Sequence, residues 1–120
     1  MNNHLAIPVK NLEESKAFYE KLGFEMFNSW EKPDKQLKGL GMKDKDDYRI
    51  ELIYHPKNTN LKFQDMPVLQ HLGIGVISIE EEIKKLGDVK IITPITKGVS
   101  VKRFTFIEDP SGFPIELVEY

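Results

Sequence analysis

Between residues 4 and 9 the chain alternates. Leu5, Ile7 and Val9 fall on one face and His4, Ala6 and Pro8 on the other, the period of a half-buried strand. The period then changes. Asn11 followed by Glu14 is an N-cap with a carboxylate at the third helical position, a variant of the capping box. Leu12, Phe18 and Leu22 share a helical face, and Gly23 is the expected stop. Residues 24–30 and 36–42 read as strands on either side of a Lys32-Pro33-Asp34-Lys35 turn. A charged turn over 43–47 leads into a strong strand over 48–54, in which Ile50 and Leu52 share one face and Glu51 points the other way. Residues 56–67 are polar, contain two prolines and read as a linker.

The pattern then begins again. His71-Leu72-Gly73-Ile74-Gly75-Val76 matches residues 4–9 position by position, and Ser78 with Glu81 repeats the cap. Ile79, Ile83 and Leu86 form a short helical stripe stopped by Gly87, and residues 89–95 and 103–107 read as strands. Asp109-Pro110-Ser111-Gly112 is a hairpin turn: proline fixes φ at the first corner, and glycine accepts the positive φ that closes it. In the strand that leaves it, Glu116 points away from Ile115 and Leu117, as Glu51 does from Ile50 and Leu52. The His-to-Glu separations are 47 and 45 residues. The repeat predicts an α+β domain over residues 1–120. Two tandem β-α-β-β-β modules, 1–55 and 68–120 with the linker 56–67 between them, would form a curved sheet cup.

The totals narrow the function. A chain of 120 residues, 40% hydrophobic and 30% charged, fits one soluble globular domain. A formal charge of −2 and a pI near 5.9 leave no basic footprint for nucleic acid. Without cysteine there are no disulfides or thiolate sites. No stretch has the length or composition of a signal peptide or membrane span, so the expected setting is cytoplasmic, with no membrane partner.

In each half, the first strand carries its His and the last strand its Glu on the face opposite the apolar stripe. Two such sheets facing each other would gather His4, Glu51, His71 and Glu116. Imidazole with carboxylate suits Zn, Ni, Co, Mn or Fe(II). The small residues Ala6, Gly73 and Gly75 would leave room beside the histidines. Other polar and aromatic groups read more plainly. Arg49 and Glu119 are expected to be solvated charges, and Trp30, Tyr48 and Tyr54 core or rim packing. His55, about 13 Å from Glu51 at strand rise, reads as a surface residue. Lys97, Lys102 and Arg103 are the candidates for contact with an anionic substrate.

At this point the sequence resembles the vicinal oxygen chelate superfamily, with glyoxalase I (lactoylglutathione lyase) and its relatives nearest. The carriers are His4-Leu-Ala-Ile, Phe18-Tyr19 through Leu22-Gly23-Phe24, Ile50-Glu51-Leu52, His71-Leu-Gly-Ile and Glu108-Asp-Pro-Ser-Gly-Phe-Pro-Ile-Glu116-Leu. The resemblance implies a metal held by His4, Glu51, His71 and Glu116, with Glu116 or Glu51 moving from ligand to general base. It implies a homodimer of the bacterial type acting on a small-molecule substrate. Pro8 stands where glyoxalase I usually carries an Arg that helps hold glutathione, so the metal chemistry is carried further than the thiol. The segment around Lys97-Gly98 and Lys102-Arg103 resembles one where glyoxalases set basic residues against glutathione.

The expected function is a metal-dependent lyase or isomerase that transfers a proton on a chelated carbonyl or hydroxycarbonyl compound. A fourth protein ligand, Glu51, leaves two octahedral positions, enough for one bidentate substrate. It favours Ni²⁺, Co²⁺ or Zn²⁺ over Mn²⁺ or a requirement for Fe²⁺. Extradiol dioxygenases and fosfomycin-resistance transferases of the superfamily need only His, His and Glu. The non-enzymatic alternative is a binding protein of the bleomycin-resistance type, which generally lacks the ligand set.

Overall fold

The computed structural model describes residues 4–59, 61–63 and 69–120. Contacts divide the chain into two compact units, one ending at Leu61 and the other beginning at Lys62. Much of the expected linker, Pro67 included, lies outside the described residues.

The first unit runs β1 (His4–Val9), α1 (Leu12–Lys21), β2 (Glu25–Lys32), a 3₁₀ turn (Pro33–Lys35), β3 (Leu37–Lys43) and β4 (Arg49–Tyr54). The strands β2, β3 and β4 form an antiparallel meander, and α1 carries the chain from β1 to its far edge. As a result β1 pairs with β4 in parallel and the order is β1-β4-β3-β2. The second unit repeats this with β5 (Leu72–Gly75), α2 (Ile79–Leu86), β6 (Ile91–Lys97), β7 (Arg103–Glu108) and β8 (Pro114–Glu119), in the order β5-β8-β7-β6. The two β-α-β-β-β modules expected from the repeat are present.

Both helices start as their caps dictate. The Asn11 side chain accepts the Glu14 backbone N–H at 2.8 Å, and Ser78 Oγ accepts that of Glu81 at 3.3 Å. Gly23 and Gly87, just past the last turns, have φ of +96° and +83°, a region an L-residue enters only under strain. The core face of α1 departs from expectation. Ser15, Phe18 and Tyr19 are buried, while Leu12 and Leu22 are only half-buried at its margins. Tyr19 packs edge-on against both Phe18 and Phe24.

One face of each sheet holds the core. Ile7, Val9, Leu40, Met42, Ile50 and Leu52 bury against α1, and Leu72, Ile107, Ile115 and Leu117 share their face with Ile79 and Leu86 of α2. Period-two alternation sends every intervening residue to the other face. The edge strands β2 and β6 depart from it. Register shifts between Met26 and Asn28, and at Ile91, Thr93 and Thr96, mark bulges that bend these strands.

The hairpin between β7 and β8 is held from within. Asp109 is buried, and its carboxylate accepts the backbone N–H of Ser111 at 2.9 Å and of Phe113 at 2.8 Å. The Asp109 N–H donates to Phe113 O at 2.8 Å, and Gly112 closes the turn at φ +89°. Phe113 is buried, with Phe63 edge-on against its ring.

Candidate functional site

The ladders place the four chemical residues in matching positions. In the first unit Ala6 is the Cα partner of Glu51, so His4 lies two residues before the residue opposite the carboxylate. In the second, Gly73 is the partner of Glu116, and His71 again lies two residues before it. Residues two apart on a strand share a face. Each His therefore lies diagonally across the parallel ladder from its Glu. The distances agree: His4 Nε2 is 3.7 Å from Glu51 Oε1, and His71 Nε2 is 3.7 Å from Glu116 Oε1.

The residues opposite the carboxylates are small, Ala6 beside Glu51 and Gly73 beside Glu116. A Cβ on Gly73 would stand 3.7 Å from Glu116 Oε1. His4 and Ala6 are exposed, and Glu51 and Glu116 are part-buried. The ring of His71 meets Phe106 edge-on at 5.0 Å, and its Nδ1 lies 2.7 Å from Leu69 O. A carbonyl oxygen only accepts, so Nδ1 carries a hydrogen, and Nε2 is the ring nitrogen turned toward Glu116.

Around Glu51 the first unit builds a second support. Gly39 and Gly41 of β3 lie on the Glu51 face, where β2 lays Trp30 across Gly39 and Asn28 and Phe27 across Gly41. Trp30 Nε1 donates to Glu51 Oε2 at 3.1 Å, and the Asn28 side-chain oxygen accepts the Gly41 N–H at 3.1 Å. The sequence reading gave Trp30 only a packing role. The spacing Gly39-Leu40-Gly41 was the available signal, since two glycines on one face of a strand leave a bed for a large neighbour.

Arg103 and Glu119 depart from the sequence reading. They are Cα partners on the face opposite Glu116, and the Arg103 guanidinium grips Glu119 with contacts of 2.8 and 2.6 Å. It also reaches Glu80 of α2 at 2.7 Å. Glu119 accepts the Ile79 N–H at 2.9 Å, so this carboxylate ties β8 to the first turn of α2. It is buried, not the solvated strand-face charge expected from the sequence. The Arg103 hydrogen bonds, with the Ile79 N–H second, lower its pKa to about 2, and the Arg103 pKa is raised in turn. Arg103, a candidate substrate contact by sequence, is thus engaged in structure on the helix side. Lys97 and Lys102 are exposed at the β6–β7 end. His55 sits in a turn, where its Nδ1 accepts the Lys57 N–H at 3.0 Å.

A cleft of about 910 Å³ in the first unit lies between the N-terminal turn of α1 and the β2–β3 strands, lined by Lys16, Ser29, Leu40 and Tyr54 among others. Trp30 and Gly39 also line it, but Glu51 and His4 do not, so the cleft borders the Trp30 support without containing the His4–Glu51 pair. Among the described residues, no three His, Asp or Glu side chains gather closely enough to hold a metal ion. Each unit contributes a pair. Donors about 2.0–2.2 Å from one ion stand about 3.0–3.4 Å apart, so each 3.7 Å pair needs only a small rotamer adjustment to chelate. The Leu69 carbonyl on His71 Nδ1 is also the kind of support that metal-ligating histidines receive. Within each unit, the imidazole and carboxylate of the pair are donor types that a divalent cation takes.

Comparison with known proteins gives the same architecture. YwkD of Bacillus subtilis (strain 168), an uncharacterized protein, is 34% identical over 121 residues, covering 98% of this chain and 94% of its own. A glyoxalase family protein from Enterococcus faecalis is 30% identical with a TM-score of 0.80, over 99% of this chain and 97% of that one. The trypanothione-dependent glyoxalase I of Leishmania major is 27% identical with a TM-score of 0.77, over 97% of this chain and 84% of that one. Residues 2–117 match the sequence pattern of one family, and the chain belongs to it: the Glyoxalase/Bleomycin resistance protein/Dioxygenase superfamily.

Proposed function

We propose that the protein is a divalent-metal-dependent lyase or isomerase of the glyoxalase type, moving a proton on a small carbonyl or hydroxycarbonyl substrate. The observation that supports it is the repeated His–Glu pair, with the same register and the same 3.7 Å separation in both modules. In this reading His4, Glu51, His71 and Glu116 hold Ni²⁺, Co²⁺ or Zn²⁺, one pair coming from each subunit of a two-fold homodimer. When bound, such a cation supplies Lewis acidity, which polarises adjacent substrate oxygens and acidifies the neighbouring C–H. Glu116 takes the proton from carbon and returns it. Its ladder neighbours are Gly73 and Phe106, and its carboxylate faces His71 Nε2 at 3.7 Å. The exposed Lys97 and Lys102 are available to an anionic substituent of the substrate, and a thiol adduct is one form it can take.

Metal analysis of protein purified without chelator or affinity metal, followed by turnover of 2-oxoaldehydes with and without thiols, tests this reading. Glu116→Gln is expected to lower turnover by about 10²–10⁴-fold, the usual worth of a general base. Glu51→Gln is expected to weaken metal binding and activity together. Metal-free protein that binds ligands unchanged in both variants, with no turnover, would replace this reading with a bleomycin-resistance-type binding protein. Activity confined to Fe²⁺ with consumption of O₂ would replace it with a dioxygenase.

A further inference from the structure

The two carboxylates are equivalent in register but not in surroundings. In the first unit, the β3 positions beside Glu51 are Gly39 and Gly41, and the aromatic cover comes from β2. In the second, the corresponding β7 positions are Phe104 and Phe106, which fill the same space from within their own strand. Among the described residues, only the first arrangement brings a hydrogen-bond donor. The Trp30 indole lies so close over Gly39 that a Cβ there would collide with its ring, and the Lys32 ammonium stands 5.5 Å from the ring centroid. From that fixed position Nε1 donates to Glu51 Oε2 at 3.1 Å. The other oxygen, Oε1, is the one that faces His4 Nε2.

We propose that Trp30 is the positioning residue of Glu51: its indole N–H holds Oε2 so that Oε1 is presented beside His4 as a fixed ligand, and Gly39 provides the slot. This rests on the metal reading above and divides the labour within it. Glu51 is pinned, whereas Glu116 has no counterpart to Trp30 among the described residues and keeps the freedom a base needs. A carboxylate that is already oriented loses little rotamer freedom when it binds a cation, so the indole contributes to affinity without touching the ion. Trp30 is also the single tryptophan of the chain. Its emission and its one indole N–H resonance therefore report on Glu51 without labelling.

The experiment is a Zn²⁺ titration of the full-length protein, followed by calorimetry, by tryptophan fluorescence and by the indole N–H resonance. Wild type is expected to bind with a saturable change in emission and a shift of that resonance. Trp30→Phe keeps the aromatic cover but loses the donor, and its affinity is expected to fall by about 10-fold at unchanged stoichiometry. Gly39→Ala, which pushes the indole off its bed while retaining it, is expected to weaken binding likewise. Equal affinity in wild type and Trp30→Phe, with Glu51→Gln weakened, would overturn the positioning role and leave the metal reading standing. If Trp30→Phe does not fold, the wild-type resonance decides: failure to move both on Zn²⁺ addition and on Glu51→Gln substitution overturns the proposal. Absence of any saturable Zn²⁺ binding by wild type removes the metal reading and this proposal together.

Discussion

Glu119 shows how far one side chain departs from what its neighbours in sequence suggest. A charged residue on a strand face reads as solvated, yet this one is buried, held by Arg103 and by the Ile79 N–H. Its pKa in the folded protein, about 2, lies below the ordinary value of 4.5. Between those values the unfolded chain binds more protons than the folded one, so stability falls as pH falls. The contribution is complete above about pH 4.5 and is lost as pH drops toward about 2. Thermal unfolding across that range is expected to show wild type losing its advantage over Glu119→Gln, with the two converging at the acid end. Parallel curves would show that the Arg103–Glu119 pair adds nothing to stability.

Among the elements, the β7–β8 hairpin bears most directly on function, because it delivers Glu116 to its place beside His71. Its turn was legible from Asp109-Pro110-Ser111-Gly112, since proline fixes φ at the first corner and glycine admits the positive φ that closes the turn. The Asp109 carboxylate does more than start the turn. It is buried and accepts the Ser111 and Phe113 N–H groups within the turn. Asp109→Ala is expected to cost about 2–4 kcal/mol in urea denaturation, because buried donors left unpaired cost about 1–3 kcal/mol each. Asp109→Asn retains an acceptor and is expected to cost less. A loss under about 0.5 kcal/mol for the alanine variant, the level of a neutral surface change, would show that the turn holds itself.

At the scale of the whole molecule the question is which pairs complete one site. The homodimer reading makes a prediction that a site within one chain does not. Glu51→Gln and Glu116→Gln homodimers each spoil both sites. In a mixed dimer both lesions fall in one site, and the other combines an intact Glu51 with an intact Glu116. Co-refolding the two inactive variants is therefore expected to restore metal binding and activity to about one quarter of wild type for random pairing, since half of the dimers regain one of two sites. No recovery in a preparation shown to contain mixed dimers would place all four ligands in one chain.

The sequence by itself determined the two modules, the helix caps, the hairpin turn and the placing of each His and each Glu on the polar face of its strand. All of these rest on short-range rules: a period of two or of 3.6, a cap three residues from its partner, a turn that only proline and glycine close. What the tertiary structure decided is which strands lie side by side and in what register. That Ala6 stands opposite Glu51, Trp30 over Gly39, and Arg103 against Glu119 depends on ladders joining residues 9 to 45 positions apart. No local propensity encodes such a pairing, because it is fixed by the packing of whole strands against their helices. Hence Glu51 and Glu116 could be found from the sequence, and the indole that distinguishes them could not.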